Sequence, residues 1–249
     1  MRGGADGGGC FPTGRHYPGI AHLLRVAAVG LADEFDGERP LRELSLVCID
    51  TETTGKDPEA DRIVEIGCVF YRNGTVDGHR SWLINPGRPI PEEAHQVHGI
   101  SDRDVADQPR FEQVAAEVAE ALRGCVPVAY NAEFDRGFIG SEFARAAAQP
   151  GRPPPALRKE VIWIDPLVWA RELQKEARGK SLVEVCGRLG IEIGQAHRAT
   201  DDAAAALRVL LRFADDSRMP ATYAALLQEQ QRLARAFEER KRWRQRARQ

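Results

Sequence analysis

Residues 44–55 read Leu44-Ser45-Leu46-Val47-Cys48-Ile49-Asp50-Thr51-Glu52-Thr53-Thr54-Gly55. The run up to Ile49 has the length and apolarity of a central strand buried on both faces, so Asp50 and Glu52 stand at its carboxyl end. Side chains alternate faces along a strand, and acids at i and i+2 therefore point the same way. Two carboxylates in the middle of a sheet are costly without a partner, and a shared cation is one that would hold them. Thr51, Thr53 and Thr54 add hydroxyls, and Gly55 frees the backbone to turn sharply beside a ligand.

Working outward, 62–71 and 75–84 read as two further strands joined through Asn73-Gly74, the dipeptide of a two-residue type I′ hairpin turn. These three strands form an antiparallel set. Then come an amphipathic helix over 111–123, a strand over 126–130, a helix over 134–148, a loop at 150–155 and a short strand over 161–164. Helices are expected over 166–176, 181–189 and 200–213. A meander followed by alternating helix and strand is an α/β pattern with one mixed sheet. Residues 1–19 hold seven glycines and two prolines and are expected to be a disordered leader. Residues 20–43 supply a helix and linker, 44–216 form the main domain, and 217–249 form a helical, basic extension. That last helix carries Leu226, Leu227, Leu233 and Phe237 on one side, and six Lys or Arg with no acid between 240 and 248. The basic end reads either as a solvated face or as a phosphate grip.

The 249 residues are 43% hydrophobic, enough for a packed core, and carry a formal charge of −2 that two bound divalent cations would reverse. Charge therefore does not argue against a nucleic-acid partner. Five cysteines without a C-x-x-C pair indicate neither a zinc site nor a disulfide framework. The apolar stretch at 20–32 is too short to span a membrane and poorly formed as a secretory signal, so no membrane association and a cytoplasmic location are expected. Gly179-Lys180-Ser181 has the ending of a phosphate-binding loop, but Gln174 replaces the required earlier glycine and no strand leads into it. It reads as the start of the helix at Ser181.

Two further acidic stations lie downstream. Asn131-Ala132-Glu133-Phe134-Asp135 falls where a strand turns into a helix, with Asn131 as cap and Asp135 in the first turn, where the helix dipole favours the ionised form. His197-Arg198-Ala199-Thr200-Asp201-Asp202 precedes another helix. Were all six helical, His197 and Asp202 would point about 140° apart. They converge if His197 lies on the loop, with Thr200 as N-cap, and His197 then has the pKa range of a general base. A carboxylate cluster that holds two divalent cations is an arrangement that hydrolyses phosphodiesters.

The three segments resemble the Exo I, Exo II and Exo III motifs of the DEDDh exonucleases, in the DnaQ-like branch, over about residues 44–213. The intervening Ala94-His95-Gln96-Val97-His98-Gly99-Ile100 adds to the likeness. Arg198 stands where the tyrosine subclass has its tyrosine, and His197, five residues before Asp202, fits the histidine subclass. The resemblance implies an RNase H-like fold with a mixed five-stranded sheet flanked by helices. It implies that Asp50, Glu52, Asp135 and Asp202 hold two Mg²⁺ or Mn²⁺ ions, that Asp201 is a bystander, and that His197 takes the proton from the attacking water. Thr51, Thr53, Thr54, Val97, His98, Asn131 and Phe134 would line the substrate site, core packing being the alternative for Val97 and Phe134. The implied reaction is 3′-to-5′ hydrolysis releasing nucleoside 5′-monophosphates from single-stranded DNA or frayed 3′ ends. RNA is the alternative substrate, and a non-catalytic polymerase- or nucleic-acid-binding module the alternative class. A polymerase partner docking on the C-terminal helix is the third possibility.

Overall fold

A computed structural model describes residues 37–146, 154–159, 161–194 and 198–247. The expected leader at 1–19 and helix at 20–35 lie outside the described residues, as does His197. After a short 3-10 turn at Leu41–Glu43, the chain forms β1 (Leu46–Thr53), β2 (Ile63–Arg72) and β3 (Thr75–Leu83). Helices α1 (Glu92–His98), α2 (Asp102–Val105) and α3 (Phe111–Ala121) come next, then β4 (Val126–Val128) and α4 (Ala132–Ala146). The remaining helices are α5 (Pro166–Leu173), α6 (Leu182–Leu189), α7 (Ala199–Phe213) and α8 (Tyr223–Arg246).

The sheet order is β3-β2-β1-β4, with the meander antiparallel and β4 parallel to β1. Asn73 and Gly74 both take positive φ (51° and 80°), as the hairpin turn requires. The sheet has four strands where five were expected. The segment at 161–164 contributes only a parallel bridge between Val128 and Ile164, through Ile164 N–H to Pro127 O (2.9 Å) and Ala129 N–H to Ile164 O (3.1 Å). Pro127 has no N–H to donate and the residue after Ile164 turns away to cap α5, so the ladder stops at two bonds. β4 ends at Val128 rather than at residue 130 for the same local reason.

β1 is buried on both faces, as its apolar run demands. Leu46 and Cys48, with Val69 and Tyr71 of β2, pack beneath α5, α6, α7 and α8. Val47 and Ile49, with Cys68 and Phe70, pack against α3 and α4 through Phe111, Phe138 and Ile139. Each such fully buried large side chain contributes roughly 1.5–3 kcal/mol. α7 approaches the sheet closely because its inner face is built of Ala199, Ala203 and Ala206, all essentially inaccessible. Ser181 caps α6 in a reciprocal box with Glu184, so the Gly179-Lys180-Ser181 sequence is a helix start. The first half of α8 belongs to the core: Tyr223, Leu226, Leu227 and Leu233 are buried, and the Tyr223 and Ala224 amides donate to the carbonyls of Arg39 and Gly37. Among the described residues no helix is long and apolar enough to cross a membrane.

Candidate active site

β1 carries Asp50 and Glu52 past the end of its parallel neighbour. The last β1–β4 pair is Cys48 with Val128, two residues before Asp50, so the sheet opens a notch on that side. On the other side Asp50 pairs with Gly67 and Glu52 with Glu65 of β2, which puts all four residues on one face. Carboxylate oxygens of Asp50, Glu52 and Asp202 all lie within 4.8 Å of one another.

Asp202 reaches this face because the first turn of α7 rests on Gly67. A Cβ there would lie 2.3 Å from the Ala199 carbonyl carbon and from the Thr200 nitrogen, so only glycine admits the helix at this height. The helix is held in register by Glu65, which is buried. Its carboxylate accepts from Arg198 Nη2 (2.8 Å) and Nε (3.2 Å), from the Ala199 N–H (3.3 Å) and from the Ser81 hydroxyl (3.1 Å). Glu65 thus does the capping expected of Thr200, which lies inside the helix; Arg198 holds the N-cap position. Of the neighbouring acids, Asp202 joins Asp50 and Glu52, whereas Asp201 turns toward Gly194. His197 precedes the helix and lies outside the described residues.

The fourth acid enters from α4. The amides of Asn131 and Ala132 donate to the Asp165 carboxylate (3.0 and 3.2 Å), and Asp165 also accepts from Leu167 N–H at the start of α5 (2.8 Å). One side chain thereby anchors two helix starts, and Asn131, expected as the cap, instead takes a left-handed conformation (φ 70°) that asparagine tolerates. Asp135, one turn in, is buried and accepts a hydrogen bond from the Thr51 hydroxyl at 2.8 Å. Phe134 is partly buried, its ring 4.8 Å from that of Phe138.

Burial, and for Asp50 and Glu52 also the neighbouring acids, raises the pKa values of this group. Glu52 is pushed up to about 7, first by desolvation and then by the charges of Asp202 and Glu65, against the opposing pull of Arg198. Asp135 is also pushed up to about 7 by burial, although the Thr51 hydrogen bond works the other way. Asp50 is raised well above the carboxylate range, by desolvation first, then by Asp135, Glu52, Asp202 and Glu65 in turn. The influential cation, Arg198, is already engaged by Glu65. An all-oxygen, mutually repelling donor set of this kind fits hard divalent cations such as Mg²⁺ or Mn²⁺.

The remaining sequence-predicted residues divide. Thr53 donates to Gly55 O (2.5 Å), and the buried Thr54 donates to Asp61 (3.3 Å) and accepts from Arg62 N–H (3.0 Å). Both hydroxyls therefore shape the loop after β1. That loop is fastened to α4 by buried Glu142, which Arg62 grips at 2.7 and 2.9 Å. Val97 is 55% exposed at the end of α1, so it is not a core residue. His98 beside it is buried, its Nδ1 accepting from Ile100 N–H (3.0 Å), which leaves the proton of the neutral ring on Nε2. Sequence reasoning passed over Glu65, Gly67 and Asp165. A glutamate within the apolar run Ile63-Val64-Glu65-Ile66 and the Asp-Pro helix start at Asp165-Pro166 were the available signals.

The sequence model of the Exonuclease family (RNase_T) matches residues 47–210. The chain is 31% identical over 160 residues to a DNA polymerase III subunit epsilon of Treponema pallidum, covering 64% of this chain and 72% of that protein. It is 33% identical over 171 residues to a PolC-type DNA polymerase III of Thermotoga petrophila, covering 69% of this chain but only 12% of the relative's length. Among solved structures, exonuclease X in complex with 5′-overhanging duplex DNA superimposes with a TM-score of 0.55 at 28% identity, covering 73% of this chain and 98% of that one.

Proposed function

The chain belongs to the DnaQ-like exonuclease family, and on that premise we propose that it hydrolyses the terminal phosphodiester at 3′ ends, releasing nucleoside 5′-monophosphates. The observation that carries this reading is the convergence of Asp50, Glu52 and Asp202 within 4.8 Å, with the Asp135 charge acting on Asp50. Single-stranded DNA or a frayed primer end is the substrate assigned, and proofreading or repair in the cytoplasm the role. The DNA in the exonuclease X complex supports a DNA substrate, and the polymerase names of two relatives support a proofreading role.

Asp50, Glu52, Asp135 and Asp202 would hold two divalent ions, which when bound supply charge neutralisation at the scissile phosphate and a more acidic water. The protein's own part is positioning. Glu65 and Gly67 fix the height of α7 and hence the Asp202 carboxylate, while Thr51 orients Asp135. His197 receives the proton of the attacking water, its ordinary pKa lying near working pH. Phe134 and the exposed Val97 offer apolar surface to the unstacked terminal base, a sequence-tolerant mode of holding it.

Digestion of 3′- and 5′-labelled DNA and RNA oligonucleotides with Mg²⁺, Mn²⁺ or EDTA tests this directly. The expected outcome is immediate loss of 3′ label, a ladder shortening from the 3′ end of 5′-labelled DNA, slower action on RNA, and silence in EDTA. Cleavage that is insensitive to EDTA, or none in any metal, overturns the reading, and faster digestion of RNA reassigns the substrate.

A further inference from the structure

The far turns of α8, the end of α5 and the loop at 174–181 enclose an open groove of about 690 Å³. α8 contributes Arg240, Lys241 and Arg244, which with Phe237 follow the i, i+3, i+4, i+7 spacing of one helix face. Arg171, Lys175 and Lys180 line the opposite wall, and among the described residues the lining contains no carboxylate. None of these six cations makes an ion pair with a carboxylate among the described residues, although elsewhere on α8 Arg232 is paired with Glu229. Six like charges on facing walls repel one another, and a polyanion relieves that repulsion.

Two observations favour a nucleic-acid strand over an acidic protein segment. The Arg171 guanidinium lies over the Phe237 ring at 4.0 Å, which adds a planar stacking platform to the cationic walls, the combination used by sequence-tolerant single-strand grooves. One wall of the groove is also tied to the segment that leads into Asp135. The Tyr130 hydroxyl donates to the Lys180 carbonyl at 2.6 Å, and Tyr130 stands between β4 and the α4 helix that carries Asp135.

We propose that this groove holds the phosphate backbone of the strand whose 3′ end enters the carboxylate site, so that long substrates are gripped upstream of the scissile bond. The inference rests on the exonuclease reading, but its test does not depend on turnover. The full chain and its Arg240→Gln/Lys241→Gln/Arg244→Gln variant are titrated with a fluorescent oligothymidylate of about 20 nucleotides in EDTA, at several KCl concentrations. Loss of three phosphate contacts should weaken binding roughly tenfold near physiological salt and lower the slope of log Kd against log[salt] by about 2. With Mg²⁺ present, the ratio of kcat/KM for the oligomer to that for a dinucleotide should fall, while Arg240→Lys/Arg244→Lys binds like the parent. Unchanged melting temperatures show that the variants are folded. An unaltered salt slope overturns the proposal, and so does tighter binding of a polyglutamate peptide than of the oligonucleotide. Failure of the exonuclease reading would show separately, as binding that shifts as expected without any nucleotide release by the parent.

Discussion

The hydroxyl of Thr51 donates to the Asp135 carboxylate at 2.8 Å, joining the carboxyl end of β1 to the first turn of α4 across 84 residues of sequence. The bond favours the charged form of an acid that burial has pushed up to about 7. Thr51→Val keeps the volume and removes the donor, so the Asp135 pKa rises further. The acid limb of the kcat/KM profile should move to higher pH, with a metal requirement roughly 10–100-fold greater. Thr51→Ser should restore both, and a profile that stays put in the valine variant removes Thr51 from the positioning of Asp135.

Asp202→Ala should lower metal-dependent nucleotide release by about 10³-fold, the several kcal/mol expected of a lost metal ligand. Asp201→Ala, its carboxylate facing Gly194, should cost less than about threefold. Steady-state kinetics on labelled single-stranded DNA separate the two, and equal losses would mean that the pair is shared.

Gly67→Ala places a methyl 2.3 Å from the backbone of Ala199 and Thr200. Neither atom can yield without moving α7, so a destabilisation of about 1–3 kcal/mol is expected from overpacking. Displacing Asp202 by about 1 Å should in addition lower kcat by about 10²-fold. Thermal melts and kinetics of the folded variant read the two effects separately; full activity would show that α7 can slide without consequence.

Stability should depend on pH in an unusual direction. Glu52 and Asp135 sit at about 7, above the ordinary carboxylate values that they recover on unfolding. The folded state therefore keeps protons that the unfolded chain releases, and the associated stability is present at about pH 4 and lost as pH rises through 7. Relative to Glu52→Gln, the metal-free parent should lose on the order of 3 kcal/mol between about pH 4.5 and pH 8. Millimolar Mg²⁺ should return most of it at the alkaline end. Melting curves with the same pH dependence in parent and variant would contradict the raised Glu52 carboxyl that burial and its acidic neighbours produce.

Arg198→Met leaves the buried Glu65 carboxylate without its cation. The arginine is 44% exposed, so the loss is screened and should be about 1–3 kcal/mol. Glu65→Gln/Arg198→Met should recover part of that loss, and a double-mutant cycle measures how much. Additive single effects would show the pair to be energetically independent.

The legible parts of this molecule were the local ones. The apolar run ending at Asp50, the Asn73-Gly74 turn and the Ser181 helix start each settle their conformation within a few residues, and the sequence displays them. Glu65 could not be read as a partner of Arg198, because that pairing needs both the hairpin register and the packing of α7 on β2, 133 residues apart. Asp165 was hidden for the same reason, serving amides more than 30 residues upstream. The fifth strand was over-read: its residues have strand composition, but Pro127 gives the neighbour too few donors to extend a ladder. The acids themselves were found from chemistry, since carboxylates ending a buried strand need a physical excuse.

The burial of Tyr223, Leu226, Leu227 and Leu233 sets where this molecule can be cut. The family match stops at residue 210, yet excising the chain beyond that point would open the layer beneath α5 and α7 and unseat Gln230, whose amide bridges Trp163 O and the Asp165 N–H. A transplantable unit for fusions or chimeras therefore has to extend at its carboxyl end to about residue 234. Within the described part of α8, the turns past residue 234 can be exchanged without rebuilding the interior.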